Sequence, residues 1–514
     1  MKRITPVNTP FFTLPRAGLL AGMLLLSGCF NEPPPETQEE DGPRIRLAML
    51  QPPRSGLTPL SDDAFKLSRW RTAETLVTLD ALGEAQPALA THWQQLDAQR
   101  WRFTLREGVQ FHDGSALTAA SVVNALTTAA HAAPKPRILD GVTLEAVADG
   151  GHSVIITTAR PDPLIPQRLS SPQLAILAPA AYGKNGVVNP VKAGTGPFVL
   201  TSVTGTSSAR LERFEGYWGE KARAAGIDVA FVPDGTARAA ALRTHSADIV
   251  EAVPVSQVAL LDPALVHEVP MPRTNTLYLN TRTGPFRDAA LRAAAREALD
   301  RQPLIDNVYE RRADRAEGLL GPALPWAAAL RQSVAAPTAA AAPNGATITL
   351  ATFSDRAELP EVATYLAQQL SAAGFTVKQV VREYAHIEAD ALAGKFDAFI
   401  LSRATVLDSG DPVAYLYSDF ACKGSFNIAQ LCDARIDQAL EQAAAIPAGA
   451  ERRQAIMAAE RLILASDAAL PLLHERVIQG EAANVRDAAR DPRERMLVTA
   501  ETTLMTAGTT QAAD

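Results

Sequence analysis

Apolar and polar side chains alternate between residues 101 and 106, where Trp101, Phe103 and Leu105 are the apolar positions. This alternation predicts a β-strand with one buried face. The residues before it predict a helix end carrying residues 76–77 and a second helix ending near Trp93. Thr118 stands where a helix cap is expected, ahead of an apolar helical face. The whole segment therefore predicts closely packed strands and helices.

Similar patterns recur along the rest of the chain. Short apolar or alternating runs predict strands at 44–50, 153–158, 198–201, 226–232, 276–280, 347–353, 376–381, 396–401 and 470–473. Apolar positions at helical spacing predict helices at 237–244, 291–299, 359–373, 435–444 and 451–466. Strands alternating with helices predict an α/β fold, and 514 residues exceed the usual size of a single core.

Composition excludes several classes of protein. The net charge of -7 and the pI near 5.7 argue against a nucleic-acid partner, which requires a basic face. The motifs of serine hydrolases, P-loop proteins, zinc proteases and dinucleotide-binding folds are absent from the sequence. Gly194-Thr195-Gly196 precedes a proline, which favours a tight turn over a phosphate loop. His112 is interpreted as a turn residue, and the scattered histidines form no evident metal cage.

The N-terminus has the pattern of an export signal. Basic residues precede the apolar run 17–26, which is too short to cross a bilayer. Leu26-Ser27-Gly28-Cys29 resembles the bacterial lipobox, in which the signal is cut before the cysteine and the thiol is acylated. We therefore expect a signal peptide at 1–28 and a lipidated flexible tether at 29–43. The alternative is an ordinary secretory signal followed by a chance cysteine.

The order of motifs carries a family resemblance. ETLV at 74–77, PALATHW at 87–93, WRFTLREGVQFHDG at 101–114 and LTAASV at 117–122 follow one another. This order resembles the dipeptide, oligopeptide and nickel solute-binding proteins of ABC importers, known as bacterial extracellular solute-binding proteins of family 5. Further matches in the same order are GTGPF at 194–198, YWG at 217–219, NT at 280–281, GPFRD at 284–288 and GDP at 410–412.

The resemblance implies a two-lobed periplasmic-binding-protein fold of type II with a hinged cleft. Lobe I would comprise 44–272 and 477–514, and lobe II would comprise 273–476. It further implies a monomeric, periplasmic lipoprotein without cofactor or enzymatic activity, attached to the membrane only through Cys29. Its partners would be the ABC permease and ATPase subunits. A sensor or chaperone lipoprotein that lost transport is an alternative.

Two further cysteines, Cys422 and Cys432, remain after Cys29 is assigned to the lipid. An even number of remaining cysteines in an exported chain favours a disulfide. Two thiolates without further His or Cys ligands nearby do not complete a zinc site. Peptide-binding members of the family carry a similar cysteine-flanked loop.

Asp411 is the residue expected to hold the ligand. It follows an apolar strand, and peptide-binding relatives use the matching aspartate for the peptide amino group; the alternative is an Asx turn before Pro412. Arg403 and Arg137 are candidate basic ligand residues, as are Lys135 and Arg168. The chain lacks the aromatic residue that relatives carry within 404–407, and the arginine that nickel relatives carry within 170–173. A small peptide-like solute is expected, with nickel or a metal chelate as the alternative.

Overall fold

The computed structural model describes residues 42–505, except 81–82, 185, 323, 335–336 and 407–408. Cys29 and the predicted signal peptide lie outside the described residues. The helices and strands that follow refer to the described part of the chain. Among these residues, no helix combines the length and the apolar character needed to span a bilayer.

In chain order the strands are β1 Arg44–Met49, β2 Val77–Leu79, β3 Ala85–Pro87, β4 Ala90–Gln95, β5 Arg100–Leu105, β6 Leu144–Ala148, β7 Ser153–Thr158, β8 Phe198–Thr204, β9 Ser208–Arg213, β10 Gly226–Phe231, β11 Ile249–Val250, β12 Val266–Leu279, β13 Ala313–Arg315, β14 Thr347–Phe353, β15 Thr376–Arg382, β16 Ala398–Ala404, β17 Ala469–Glu481, β18 Val485–Arg486 and β19 Thr503–Leu504. The α-helices are α1 Ala64–Arg69, α2 Ala119–His131, α3 Ile165–Arg168, α4 Gly235–Arg243, α5 Val255–Val258, α6 Ala289–Ala298, α7 Pro325–Leu330, α8 Glu358–Ala372, α9 Tyr384–Leu392, α10 Pro412–Phe420, α11 Ala434–Ala445 and α12 Ala450–Ala465. Short 3-10 turns occupy Arg137–Leu139, Pro172–Leu174, Pro179–Ala181, Pro263–Leu265 and Pro285–Arg287.

One large sheet runs through the protein in the order β15-β14-β16-β12-β17-β11-β1-β10-β9-β8, with β13 beside β17. β14 lies parallel to both β15 and β16, and β1 lies parallel to both β10 and β11. A separate antiparallel sheet has the order β4-β5-β7-β6. Parallel strands joined through helices make this the predicted α/β fold.

The long antiparallel strands β12 and β17 join the two groups of parallel strands. β12 pairs with β17 from Val266 to Tyr278 and with β16 from Arg273 to Leu279. The sequence predicted only 276–280 and 470–473 in this region, so both strands are longer than expected. Their pairing shifts register between Pro270 and Arg273, opposite Arg476 and Glu475. A bulge of this kind locally bends and twists the strand pair.

Two of the predicted helices before β5 are wrong. Val77 begins strand β2, and Trp93 lies within strand β4, which pairs with β5. The ring of Trp93 packs 6.0 Å from that of Phe103, centroid to centroid. This contact between neighbouring strands stabilises a β-hairpin. The helix predicted from the local residues does not include such a contact. The predicted strand at Phe103 is confirmed as β5, with that side chain fully buried.

The turn at 194–198 has a packing role. A side-chain carbon added at Gly194 would lie 1.9 Å from the carbonyl oxygen of Thr72, and one at Gly196 would lie 1.9 Å from that of Arg71. The His112 Nε2 lies 2.8 Å from the carbonyl oxygen of Gly196. Burial lowers the pKa of His112 to about 4, so the neutral ring supports this turn at physiological pH.

Candidate functional site

The residues at the carboxyl ends of three strands line one cavity between the two predicted lobes. Leu50 follows β1, Phe353 ends β14, and Arg403 lies at the end of β16. This cavity, which we call the inner cavity, has a volume of about 90 Å³. Ligands of open α/β sheets commonly bind beyond the carboxyl ends of the strands. The inner cavity is therefore the candidate ligand site.

Three arginines surround Asp62 at the inner cavity, and we call them the arginine cluster: Arg54, Arg137 and Arg403. The Nη1 of Arg137 donates a hydrogen bond to Asp62 Oδ1 at 2.5 Å, and Arg54 Nη2 lies 3.6 Å from Asp62 Oδ2. Burial alone would raise the pKa of Asp62, but the charges of Arg137, Arg54 and Arg403 outweigh it and lower that pKa to about 2. The structure thus brings Arg137 and Arg403, two of the sequence candidates, to one carboxylate.

Aromatic rings pack against these guanidinium groups. The guanidinium carbon of Arg403 lies 4.5 Å from the ring centroid of Phe426, and that of Arg137 lies 5.8 Å from the same ring. Arg54 lies 4.7 Å from the ring centroid of Tyr384. Such cation–π contacts favour the charged guanidinium and restrict its orientation.

Asp419 of helix α10 holds the side chain of Arg403. Arg403 Nε donates to Asp419 Oδ2 at 2.8 Å and Nη2 donates to Oδ1 at 2.7 Å. The Asp419 side chain is fully buried on α10, and 7% of the Arg403 side chain is exposed. A bidentate pair of this geometry fixes the guanidinium plane. Arg403 therefore has a defined orientation at the end of β16.

The structure joins Cys422 and Cys432 by a disulfide bond. The loop between them carries Phe426, which contacts the arginine cluster, and Ser425, which donates hydrogen bonds from its backbone N and its Oγ to Asp140 Oδ2. Closing a loop of this length contributes about 2–3 kcal/mol of stability on the chain-entropy model. The disulfide thus restrains a loop that contacts Asp140, which lies 285 residues away along the chain.

A larger groove lies beside the inner cavity and has a volume of about 560 Å³; we call it the outer groove. Its lining includes Lys135, Arg137, Arg160 and Arg168, together with Tyr417 of α10. Arg137 links the two spaces, because it lines the outer groove and donates to Asp62. The candidate Arg168 donates to Asp162 at 2.9 Å, and it is thereby held at the wall of the groove.

Asp411 has protein partners of its own. Its Oδ1 accepts a hydrogen bond from Val413 N at 2.9 Å and caps α10. Arg452 Nε and Nη2 donate to its two carboxylate oxygens, both at 2.9 Å. Asp411 does not line the inner cavity, the outer groove or the cavity described next. The structure therefore places this carboxylate in the cap of α10 and in an ion pair with Arg452 of α12, separate from the arginine cluster.

A third cavity, of about 440 Å³, is lined by Glu74, Asp80 and Arg493, among others. Its described lining comes from residues 64–88, 170–175, 218 and 489–496, all within the predicted lobe I. No group of three or more His, Cys, Asp or Glu side chains within the described residues is arranged to hold a metal ion. The inner cavity and the outer groove are both lined by charged side chains from the two predicted lobes.

Sequence reasoning missed Asp62 and Arg54. Asp62 lies in the turn before α1, and Arg54 lies in the loop after β1, where neither belongs to a motif. Each also has a partner that is distant in sequence: Arg54 pairs with Glu388 of α9, 334 residues away, and Asp62 accepts from Arg137, 75 residues away. Only the fold brings these groups together.

Comparison with known proteins agrees with this architecture. The family model described as "Bacterial extracellular solute-binding proteins, family 5 Middle" matches residues 84–427. The nickel-binding periplasmic protein of Escherichia coli K12 is 29% identical over 49% of this chain, and the match spans 51% of that relative. The glutathione-binding protein of Escherichia coli O1:K1 / APEC is 26% identical over 76% of this chain and 80% of the relative.

Among solved structures, that of NikA from Staphylococcus aureus in complex with Ni(L-His)2 is similar, with a TM-score of 0.81 and 20% identity. The similarity covers 90% of this chain and 100% of NikA. At this identity it shows the fold, which is the predicted two-lobed periplasmic-binding fold. The family model covers well over half of the chain and shows its membership. This chain belongs to the bacterial extracellular solute-binding proteins of family 5.

Proposed function

We propose that this protein captures a small solute between its lobes and delivers it to the permease of an ABC importer, without catalysing a reaction. The ligand selects the closed form, and the permease recognises that form. One relative is named for binding nickel and another for binding glutathione, which is a peptide. A metal chelate and a peptide-like solute are therefore the two candidate ligands.

The observation that carries this proposal is the set of contacts across the cleft. Arg54 pairs with Glu388, Arg160 Nη1 pairs with Glu441 Oε1 at 2.9 Å, and Ser425 bonds to Asp140. Each contact joins a residue assigned to lobe I with one assigned to lobe II. The Arg160–Glu441 pair and the Ser425 contact are exposed, whereas Arg54 and Glu388 are 13% and 21% exposed. The exposed contacts contribute little individually. They can therefore break when the cleft opens and form again when a ligand closes it.

The lobe boundaries at 272/273 and 476/477 are part of the proposal. The register shift between Pro270 and Arg273, opposite Glu475 and Arg476, supports a hinge at these crossings. A bulge bends the strand and interrupts the regular ladder of hydrogen bonds at that point. Domain closure about a few such residues is a common way to enclose a ligand.

A ligand screen tests solute capture. Glutathione, di- and tripeptides, and nickel with and without histidine are added to the purified protein, and its unfolding temperature is measured. Binding to the folded state alone stabilises it, by about 2.7 kcal/mol at a ligand concentration of 100 times Kd. We expect at least one of these classes of compound to raise the unfolding temperature of the protein. No shift with any class, and no small molecule detected by mass spectrometry in the purified protein, would contradict solute capture.

We further propose a lipid anchor at Cys29 in a periplasmic, monomeric protein. The support is Leu26-Ser27-Gly28-Cys29 after a short apolar run. Cys29→Ser should move the protein from the membrane fraction to the soluble fraction, because the acylated thiol is its expected attachment. Ser27→Ala, which keeps a small residue before the cleavage site, is the control and should stay with membranes. Processed Cys29→Ser protein that still sediments with membranes would disprove the anchor.

A further inference from the structure

Arg238 is a buried arginine whose hydrogen-bond partners, among the described residues, are all main-chain oxygens. Only 1% of this residue is exposed. An arginine side chain has five N–H donors. All five donate to carbonyl oxygens at 2.7–3.2 Å, those of Val232, Pro233, Glu251, Ala252 and Asp355. The guanidinium group is therefore held in one orientation.

These oxygens belong to three loops, each of which follows a strand. Residues 232–233 come directly after β10, residues 251–252 come directly after β11, and Asp355 lies two residues after β14. Arg238 lies near the start of α4, where the helix dipole disfavours a cation. Burial lowers the pKa of Arg238 to about 10, so the group stays charged at physiological pH. The three loops are thus gathered around one buried positive charge.

Two of these loops carry residues of the inner cavity. Glu251 lines that cavity, and so does Arg356, which directly follows Asp355. The carboxylate of Glu251 is held there by Arg69, whose Nη1 lies 2.8 Å from Oε1. Arg238 itself lines neither the inner cavity nor the outer groove. It therefore acts on the cavity only through the loops that it holds.

The bond to Asp355 joins the two proposed lobes. Arg238 and the other four oxygens belong to the proposed lobe I, whereas Asp355 belongs to the proposed lobe II. At 3.2 Å this bond is the longest of the five. Three residues further along the chain, Glu358 Oε1 accepts a hydrogen bond from Val255 N at 2.6 Å, which is a second contact between the same lobes. Both contacts have to separate if the lobes move apart at this point.

The backbone is strained at one of the residues that Arg238 holds. Ala252 has a φ of 50°, in the left-handed region that residues other than glycine rarely adopt. Its oxygen accepts from Arg238 Nη2 at 2.9 Å. The next residue, Val253, donates from its N to the oxygen of Ile478 in β17 at 2.8 Å, beside the crossing proposed at 476/477. Arg238 therefore fixes a strained turn next to the proposed hinge.

We propose that Arg238 is a positioning residue for ligand binding: it holds the loops that carry Glu251 and Arg356 at the inner cavity, and its bond to Asp355 stabilises the closed arrangement of the lobes. This inference rests on the proposed function and names a residue that controls affinity without touching the ligand. When the cleft opens, the Asp355 bond breaks while the four bonds within the proposed lobe I remain. A ligand that selects the closed form binds more weakly when that form is less populated.

Calorimetry on the full-length protein in detergent tests the effect on affinity. The probes are glutathione, Ala-Ala and nickel with histidine. Arg238→Lys keeps the charge but has three donors, so at least two of the five oxygens lose their partner. We expect it to weaken binding of the compound that the wild type binds by about tenfold or more. Arg238→Met removes all five donors and should weaken binding further; if it does not fold, Arg238→Lys decides the matter.

Arg292→Lys is the matched control. Arg292 also donates to main-chain oxygens, those of Ser466 at 2.8 Å and Phe286 at 2.7 Å, and burial lowers its pKa as well. These groups all lie within the proposed lobe II, and Arg292 does not line the inner cavity or the outer groove. The control should lower the unfolding temperature but leave affinity unchanged. A merely structural role of Arg238 predicts the same result for Arg238→Lys.

Hydrogen exchange without ligand tests the contact between the lobes directly. The amide of Val255, which donates to Glu358, should exchange about tenfold faster in Arg238→Lys than in the wild type, because the neighbouring bond to Asp355 no longer restrains this region. The amides of β5, which is far from Arg238 along the chain, should keep their wild-type rates. A general loss of stability would accelerate exchange at both places.

The results distinguish this inference from the proposed function. Unchanged affinity of Arg238→Lys, or a loss no greater than that of Arg292→Lys, would overturn the inference while leaving solute capture intact. Equal acceleration of exchange at Val255 and in β5 would overturn it as well. Absence of binding by the wild type, both here and in the thermal screen, would overturn the inference together with solute capture.

Discussion

Asp419→Ala is expected to lower the free energy of unfolding by about 3–5 kcal/mol, because it leaves the buried charge of Arg403 without its bidentate partner. The two hydrogen bonds of the pair measure 2.7 and 2.8 Å, and the carboxylate is fully buried on α10. The desolvation of the guanidinium would remain after the substitution while its compensating charge is lost. Urea unfolding monitored by circular dichroism measures the effect.

Asp390→Ala is the matched control for this experiment. Asp390 also pairs with two cations, Arg382 at 2.8 Å and Lys395 at 2.7 Å, but these cations are 45% and 63% exposed. Exposed pairs contribute about 0–1 kcal/mol. A loss below about 1 kcal/mol for Asp419→Ala, equal to that of the control, would mean that Arg403 is not held by this carboxylate.

The sequence correctly predicted helices and strands whose formation depends on residues that are close together in the chain. Thr118 caps α2, where its side chain accepts from Ser121 N, and the alternating positions around Phe103 form β5. The predictions failed where a distant partner decides the structure. Trp93 forms a strand because β5 lies beside it, and β12 and β17 are long because each pairs along the other. Such pairings leave no signal within a short window of sequence.

The same distinction between local and distant partners explains which parts of the candidate site the sequence predicted. Arg137 and Arg403 were identifiable as basic residues near the expected cleft, but their shared neighbour Asp62 lies 75 residues from Arg137 along the chain. The Asp411-Pro412 step has the local signature of a helix cap, which is what the structure shows. Its second partner, Arg452, comes from another helix and is 41 residues away. Sequence alone therefore identified residue types but not their partners.

A second buried ion cluster lies where β12 meets the C-terminal segment. Arg273 Nε donates to Glu494 Oε1 at 2.8 Å, and its Nη2 donates to the other carboxylate oxygen. Arg356 Nη2 lies 3.6 Å from the same carboxylate, and Arg69 Nε donates to the backbone oxygen of Glu494 at 2.7 Å. Glu494 belongs to lobe I, whereas Arg273 and Arg356 belong to lobe II in the proposed division. This cluster therefore ties the lobes together beside the proposed hinge.

Glu494→Gln is expected to lower the free energy of unfolding at pH 7 by about 3 kcal/mol. Burial alone would raise the pKa of Glu494, but the charge and hydrogen bonds of Arg273, with the charges of Arg69 and Arg356, lower it from 4.5 to about 2. A shift of this size corresponds to about 3 kcal/mol. Because the folded pKa is the lower one, this stability is present above pH 4.5 and is lost as the pH falls toward 2.

Urea unfolding of the wild type and of Glu494→Gln between pH 7 and pH 2 measures this contribution. The difference between the two proteins should be largest at neutral pH, shrink below pH 4.5 and be mostly lost as the pH falls through 2, because protonation then makes the side chain of Glu494 neutral as well. Glu212→Gln is the control: Glu212 pairs with Arg44 but is 41% exposed, so its loss should cost no more than about 1 kcal/mol. A difference for Glu494→Gln that stays constant across the pH range would show that its charge does not hold the lobes together at the hinge.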